Sequence, residues 1–154
     1  MSSTYTVTKV YESDKPSAKT VVLWVSRHMP LPAQILELER KFNSVIVYQM
    51  KGTIPSAEVV VEAAKKLGAS IIVPVLPLSM IARLAELSKQ NGFTVVIAKM
   101  NSITTTKSAE EAVRLVQEAP ERRTLATYAD GTIRVYEFER FEKLVEVKLV
   151  TEPL

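Results

Sequence analysis

The chain reads as an α/β protein: a mainly parallel sheet sandwiched between helices, with an antiparallel β extension at the C-terminal end. Three observations predict this. Four short runs rich in Val and Ile recur at regular intervals, each is followed by a segment with helical apolar spacing, and the last third switches to alternating, turn-punctuated β patterning.

Taken in order, the stretch 4–12, TYTVTKVYE, alternates like a strand and is expected to pair with the C-terminal strands, beyond the polar link SDKPSAK. Val21–Val25 is the first buried-type strand. A helix follows, striped by Leu31, Ile35, Leu38 and Phe42, with Pro32 suited to its first turn. Val45–Met50 is the second strand, and Val60, Ala63, Ala64 and Leu67 stripe the next helix, which Gly68 should end. Ile71–Leu76 leads to a helix carrying Ile81, Leu84 and Ala85, closed by Gly92. Phe93–Ala98 leads to a helix with Ala109, Ala112, Val113 and Val116, opened by a Ser108/Glu111 capping box. Four βα units in a row predict a Rossmann-like or flavodoxin-like three-layer sandwich with right-handed crossovers and strand order 2-1-3-4. Beyond it, Asp130-Gly131 marks a hairpin turn, and Val145, Val147 and Leu149 alternate with Glu146 and Lys148. The expectation is one domain over 1–154, with its α/β core at about 20–118 and the β extension at 122–152.

Composition narrows the function. With 154 residues, 47% hydrophobic, the chain can bury a real core, and a net charge of +3 favours anionic partners mildly. Absence of cysteine excludes disulfides, a thiol nucleophile and the usual structural zinc, which fits a cytoplasmic protein. The longest apolar runs are about seven residues, far short of a membrane span, and the N-terminal stretch lacks the apolar core of a secretory signal. Abundant Lys, Glu and Arg with few Asn and Gln lean towards a thermophilic source. Only four glycines occur, so neither a G-x-G-x-x-G turn nor a Walker A loop can be written, and no G-x-S-x-G elbow exists. One His and two Asp leave no metal site in expectation, and no cofactor is implied.

Ligands of open parallel sheets collect at the carboxyl ends of the strands, where helix N-termini point free amides. The four turns there read Ser26, Arg27, His28; Lys51, Gly52, Thr53; Pro77, Leu78, Ser79; and Lys99, Met100, Asn101, Ser102, without a carboxylate among them. Cations, hydroxyls and an amide beside helix dipoles suit a phosphate or carboxylate group. The candidate ligand-binding residues are therefore Ser26, Arg27, Lys51, Gly52, Ser79, Lys99, Asn101 and Ser102. His28, the only histidine, is the candidate catalytic residue, since a neighbouring cation and a helix N-terminus favour a neutral imidazole able to accept a proton. Trp24 is expected in the core, and Met29 and Met100 as gap-fillers. Tyr5, Tyr11, Tyr128 and Tyr136 fit amphipathic positions of a sheet more cheaply than a nucleic-acid stacking face.

The stretch SRHMPLPAQ resembles the opening of small α/β proteins of archaea and phages, in which a Ser-Arg-His strand exit is followed by a helix with an early Gln, here Gln34. In architecture the plan is also similar to the CRISPR-associated Rossmann-fold sensor domains. That resemblance implies a dimer holding a cyclic oligonucleotide over the carboxyl edge, and in some members its metal-independent cleavage, with no attached effector domain expected here. Three functions follow: a binding module for a phosphate-bearing small molecule such as a nucleotide, a metal-independent phosphodiesterase using His28, or an interaction module whose antiparallel strands take up protein or nucleic acid. A homodimer is expected, because a long strand at a sheet edge is either covered or recruits a partner.

Overall fold

A computed structural model describes residues 4–154. The described residues form an α/β structure with a seven-stranded mixed sheet and four helices. The elements are β1 (Tyr5–Glu12), β2 (Thr20–Val25), α1 (Pro32–Phe42), β3 (Val45–Gly52), α2 (Ala57–Leu67), β4 (Ile71–Pro74), α3 (Leu78–Asn91), β5 (Thr94–Thr106), α4 (Ala109–Glu118), β6 (Arg123–Thr127) and β7 (Ile133–Lys143). The strand order is β1-β3-β2-β4-β5-β7-β6. Its middle portion, β3-β2-β4-β5, is the 2-1-3-4 order that the four Val/Ile runs predict, and every described pair within it is parallel. Contacts gather the chain into two compact units. One comprises the chain up to Met29, Phe42–Ile97 and Lys143–Leu154; the other comprises Pro30–Lys41 and Ala98–Glu142.

The first unit is organised by β2. Val22, Leu23, Trp24 and Val25 are all essentially inaccessible, as befits a strand paired on both sides and covered on both faces. Leu23 and Val25 share one face with Met50, Ile72 and Val95, and onto that face pack Ala57, Val60, Val61 and Ala64 of α2 and Leu84 of α3. Helical spacing selects those α2 residues, and their small side chains let α2 lie close to the sheet. The Ser56 hydroxyl caps α2 by accepting from the Val59 amide at 3.3 Å, and Gly68 and Gly92 end α2 and α3 in the left-handed conformation. β4 stops at Pro74, two residues before the predicted end at Leu76. The Val75 amide still reaches the Val25 carbonyl at 2.8 Å.

β1 corrects one expectation. It pairs antiparallel with β3, from Tyr5 opposite Gly52 to Glu12 opposite Ile46, rather than with the C-terminal strands. The link after it is short and turns at once: buried Ser13 donates its amide to the Val45 carbonyl and accepts the Val45 amide on its hydroxyl. β1 thereby covers ladder groups that β3 would otherwise leave open. Close approach explains Gly52, whose φ is +119° and where a Cβ would collide with the Thr4 carbonyl oxygen and lie 2.9 Å from the Tyr5 Cα.

In the second unit, α1 begins at Pro32 as expected, and buried Gln34 turns its Oε1 back onto the Leu31 amide at 2.7 Å. Ser108 caps α4 by accepting the Glu111 amide, while the Glu111 carboxylate accepts from the Thr106 hydroxyl. Ala112 of α4 packs on Ile133 and Val135 of β7. β6 and β7 form the predicted antiparallel hairpin, closed at Asp130-Gly131, where Asp130 Oδ1 accepts both the amide and the hydroxyl of Thr132. The extension expected to reach 152 stops at Lys143. Residues 144–154, including Val145, Val147 and Leu149, carry no regular secondary structure and belong to the first unit.

Two predictions follow from backbone and charge. Gly52→Ala meets both an unfavourable φ and a collision, and is expected to cost about 3 kcal/mol. Gly68→Ala has open space around it and should cost about 1 kcal/mol, so urea denaturation should rank the two clearly. Glu12 receives hydrogen bonds from Lys19 at 2.6 Å and Lys9 at 2.8 Å, which bring its carboxyl from 4.5 down to about 2. A depressed carboxyl stabilises the fold above its unfolded value. The stability difference between the native protein and Glu12→Gln should therefore hold at neutral pH and close as pH falls from 4.5 towards 2, a modest effect that salt weakens.

Candidate functional site

At the carboxyl end of β2 the chain must leave the sheet, and three hydrogen bonds fix how it does so. The Ser26 hydroxyl accepts the His28 amide at 3.1 Å, the Trp24 indole N–H donates to the His28 carbonyl at 3.1 Å, and Gln49 Nε2 donates to the Ser26 carbonyl at 3.0 Å. Trp24, Ser26 and Gln49 are buried, so each of these bonds satisfies a side chain that water does not reach. Trp24 is a core residue, as expected, and it also holds the turn. Arg27, His28 and Met29 are carried outward on this support. Met29 fills no gap: it is 57% exposed.

The neighbouring strands end at the same level. Lys51 and Gly52 are not in the expected turn but are the last two residues of β3, paired with Thr6 and Tyr5 of β1; Thr53 follows, with its amide bonded to the Thr4 carbonyl at 3.1 Å and its carbonyl accepting the Thr4 hydroxyl at 3.0 Å. Val75, Leu76 and Pro77 leave β4 and lead into α3. Pro77 gives α3 no side-chain cap. The Met80 amide closes onto the Pro77 carbonyl at 3.0 Å, so in this turn the amides of Leu78 and Ser79 are the ones without a hydrogen bond among the described residues.

Together these three exits enclose a cavity of about 380 Å³, within the range of small-molecule pockets. Arg27, His28, Lys51 and Thr53 supply its polar lining; Val25, Met50, Ile54, Leu76 and Met80 supply an apolar one. No acidic side chain lines it. Among the described residues, the side chains of Arg27, His28 and Lys51 make no hydrogen bond or ion pair. A second hollow of about 440 Å³, edged by Thr4, Tyr5 and Thr6, shares Arg27, Lys51, Gly52 and Thr53 with the first.

Of the sequence candidates, Ser26, Arg27, His28, Lys51 and Gly52 meet at this cavity. Ser79 does not line it and is exposed on the first turn of α3. Lys99, Asn101 and Ser102 require correction. They are not in a turn but inside β5, which runs on to Thr106 as a neighbour of β7 in the second unit. Nor is that stretch free of acids, because Lys99 Nζ lies 3.4 Å from Glu139 Oε2. Burial opposes ionisation of Glu139, yet Lys99, Arg140 and Asn101 outweigh it and hold the carboxyl below its usual range. Met100 is half-buried and accepts the Gln34 side-chain amide at 3.7 Å. Reading the strand as the apolar run alone missed the β propensity of ITTT.

No family model, curated protein or solved structure matches this chain. The reading of the site therefore rests on its own geometry. Sequence inspection missed Gln49, Ile54 and Met80. A Gln inside an otherwise buried strand was the available signal for the first; nothing marked the other two beyond their proximity to strand ends. The tyrosines of the hairpin also prove occupied with each other: the Tyr128 and Tyr136 hydroxyls are 2.9 Å apart, and the Arg134 guanidinium lies over the Tyr128 ring.

Proposed function

We propose that the first unit is a Rossmann-like binding module for a small anionic molecule carrying a phosphate, a nucleotide in its simplest form. One observation carries the reading: the cavity lies where the strand order reverses. The chain passes from β2 outward to β3 and then returns beyond β2 to β4, and the carboxyl ends flanking such a reversal are where open parallel sheets hold their ligands. The lining suits both halves of a nucleotide. Arg27 and Lys51 meet the phosphate, and the half-buried Ile54, Leu76 and Met80 surface takes an apolar ring.

Calorimetric titration of the purified protein with mono- and dinucleotides tests this. Binding is expected to weaken about ten-fold or more in Arg27→Ala and in Lys51→Ala, and to fall as salt rises. Lys99→Ala, whose charge Glu139 already opposes, should bind like the native protein. An absence of binding, or native affinity in both cavity variants, would remove the proposal.

The place of His28 favours a second reading. Its imidazole shares the cavity with two cations, an arrangement in which a base takes a proton while Arg27 and Lys51 stabilise charge gathering on phosphoryl oxygens. Incubation with linear and cyclic ribonucleotides in chelator should then give cleavage by the native protein and a loss of about 100-fold or more in His28→Ala. Equal turnover by the variant, or none by the native chain, dismisses the enzyme.

A further inference from the structure

We propose that Leu144–Val150 is a self-recognition strand, through which two copies of this chain pair antiparallel about Val147. The segment reads LVEVKLV, and it is its own complement when reversed. Centred on Val147, an antiparallel pair sets Leu144 opposite Val150, Val145 opposite Leu149 and Glu146 opposite Lys148, each of these twice. Apolar residues meet apolar ones and each charge meets its opposite, the cross-strand pairing that stabilises sheets. A parallel in-register pair would instead set Glu146 against Glu146 and Lys148 against Lys148. Charge therefore selects both the direction and the register.

Leu144 packs on the apolar core of the first unit, and the structure leaves the rest of the segment unused. Past β7, only the Leu144 amide is engaged, donating to the Val95 carbonyl at 2.8 Å; among the described residues the backbone from Val145 to Val150 makes no hydrogen bond. Val145, Leu149 and Val150 are 68%, 89% and 85% exposed, an apolar surface of the kind that marks an interaction site. Glu146 and Lys148 are 3.7 Å apart within the chain and open to solvent, so pairing exchanges one weak contact per copy for two interchain ones at each pair of strands. Val145 also borders a cavity of about 300 Å³ with Ala85 and Phe93. In the mirror register the second copy's Leu149 stands beside Val145, at the mouth of that cavity.

Sedimentation of the full chain over a concentration series, with E146K, K148E and their equimolar mixture, tests the register directly. The native protein is expected to dimerise. Each single variant sets like charges opposite one another at both mirror positions and should dimerise about ten-fold or more weakly. The mixture should regain native affinity, because pairing E146K with K148E makes both positions complementary again. A native chain that stays monomeric, single variants that pair as well as the native protein, or a mixture no tighter than its components would each overturn the proposal. Both positions are exposed, so circular dichroism should show native folding in every variant.

Discussion

The cavity of the first unit depends on β2 being sealed on every side. It is hydrogen-bonded to β3 and β4, and its four central residues lie out of contact with water on both faces. A strand so enclosed cannot expose a functional group along its length. Its chemistry must appear where it ends, and the polar groups of that exit must be satisfied locally. Trp24, Ser26 and Gln49 do this from inside the sheet, which leaves Arg27 and His28 free to face outward. Buried order and exposed charge are thus parts of one arrangement.

Electrostatics then separates two groups of cations that look alike in sequence. Arg27 lies past the end of β2 and Lys51 is the penultimate residue of β3, with no acid in the lining they share, whereas Lys99 lies inside β5 and is answered by Glu139. The difference is one of neighbouring strands. A strand continues as long as a neighbour offers it a ladder, and β7 offers one to β5. Lys51 is paired too, but its partner on β1 is Thr6, which brings it no acid.

Much of this was legible in the residues. Val and Ile runs alternating with helical stripes specified the parallel core and even its order, and Gly68, Gly92, Ser108 and Asp130-Gly131 marked their turns and caps correctly. What failed shares a cause. β1 was assigned to the wrong partner and the Val145–Leu149 segment to a strand, because alternation says that a stretch fits a half-buried ladder without saying whose ladder it is. Gly52, a candidate ligand-binding residue, owes its type to β1, which occupies the space a Cβ would need. Long-range approach of this kind leaves no local trace. The same holds for Ile54 and Met80, ordinary apolar residues that only the fold gathers under the cations.

The bond between the Trp24 indole and the His28 carbonyl gives the molecule a built-in optical reporter. This is the sole tryptophan of the chain, so all of its indole emission comes from one buried ring tied to the backbone of a residue that borders the cavity. Any rearrangement of that loop changes the polarity and hydrogen bonding seen by the excited ring. A rearrangement of that loop can therefore be followed by native fluorescence, with no label attached.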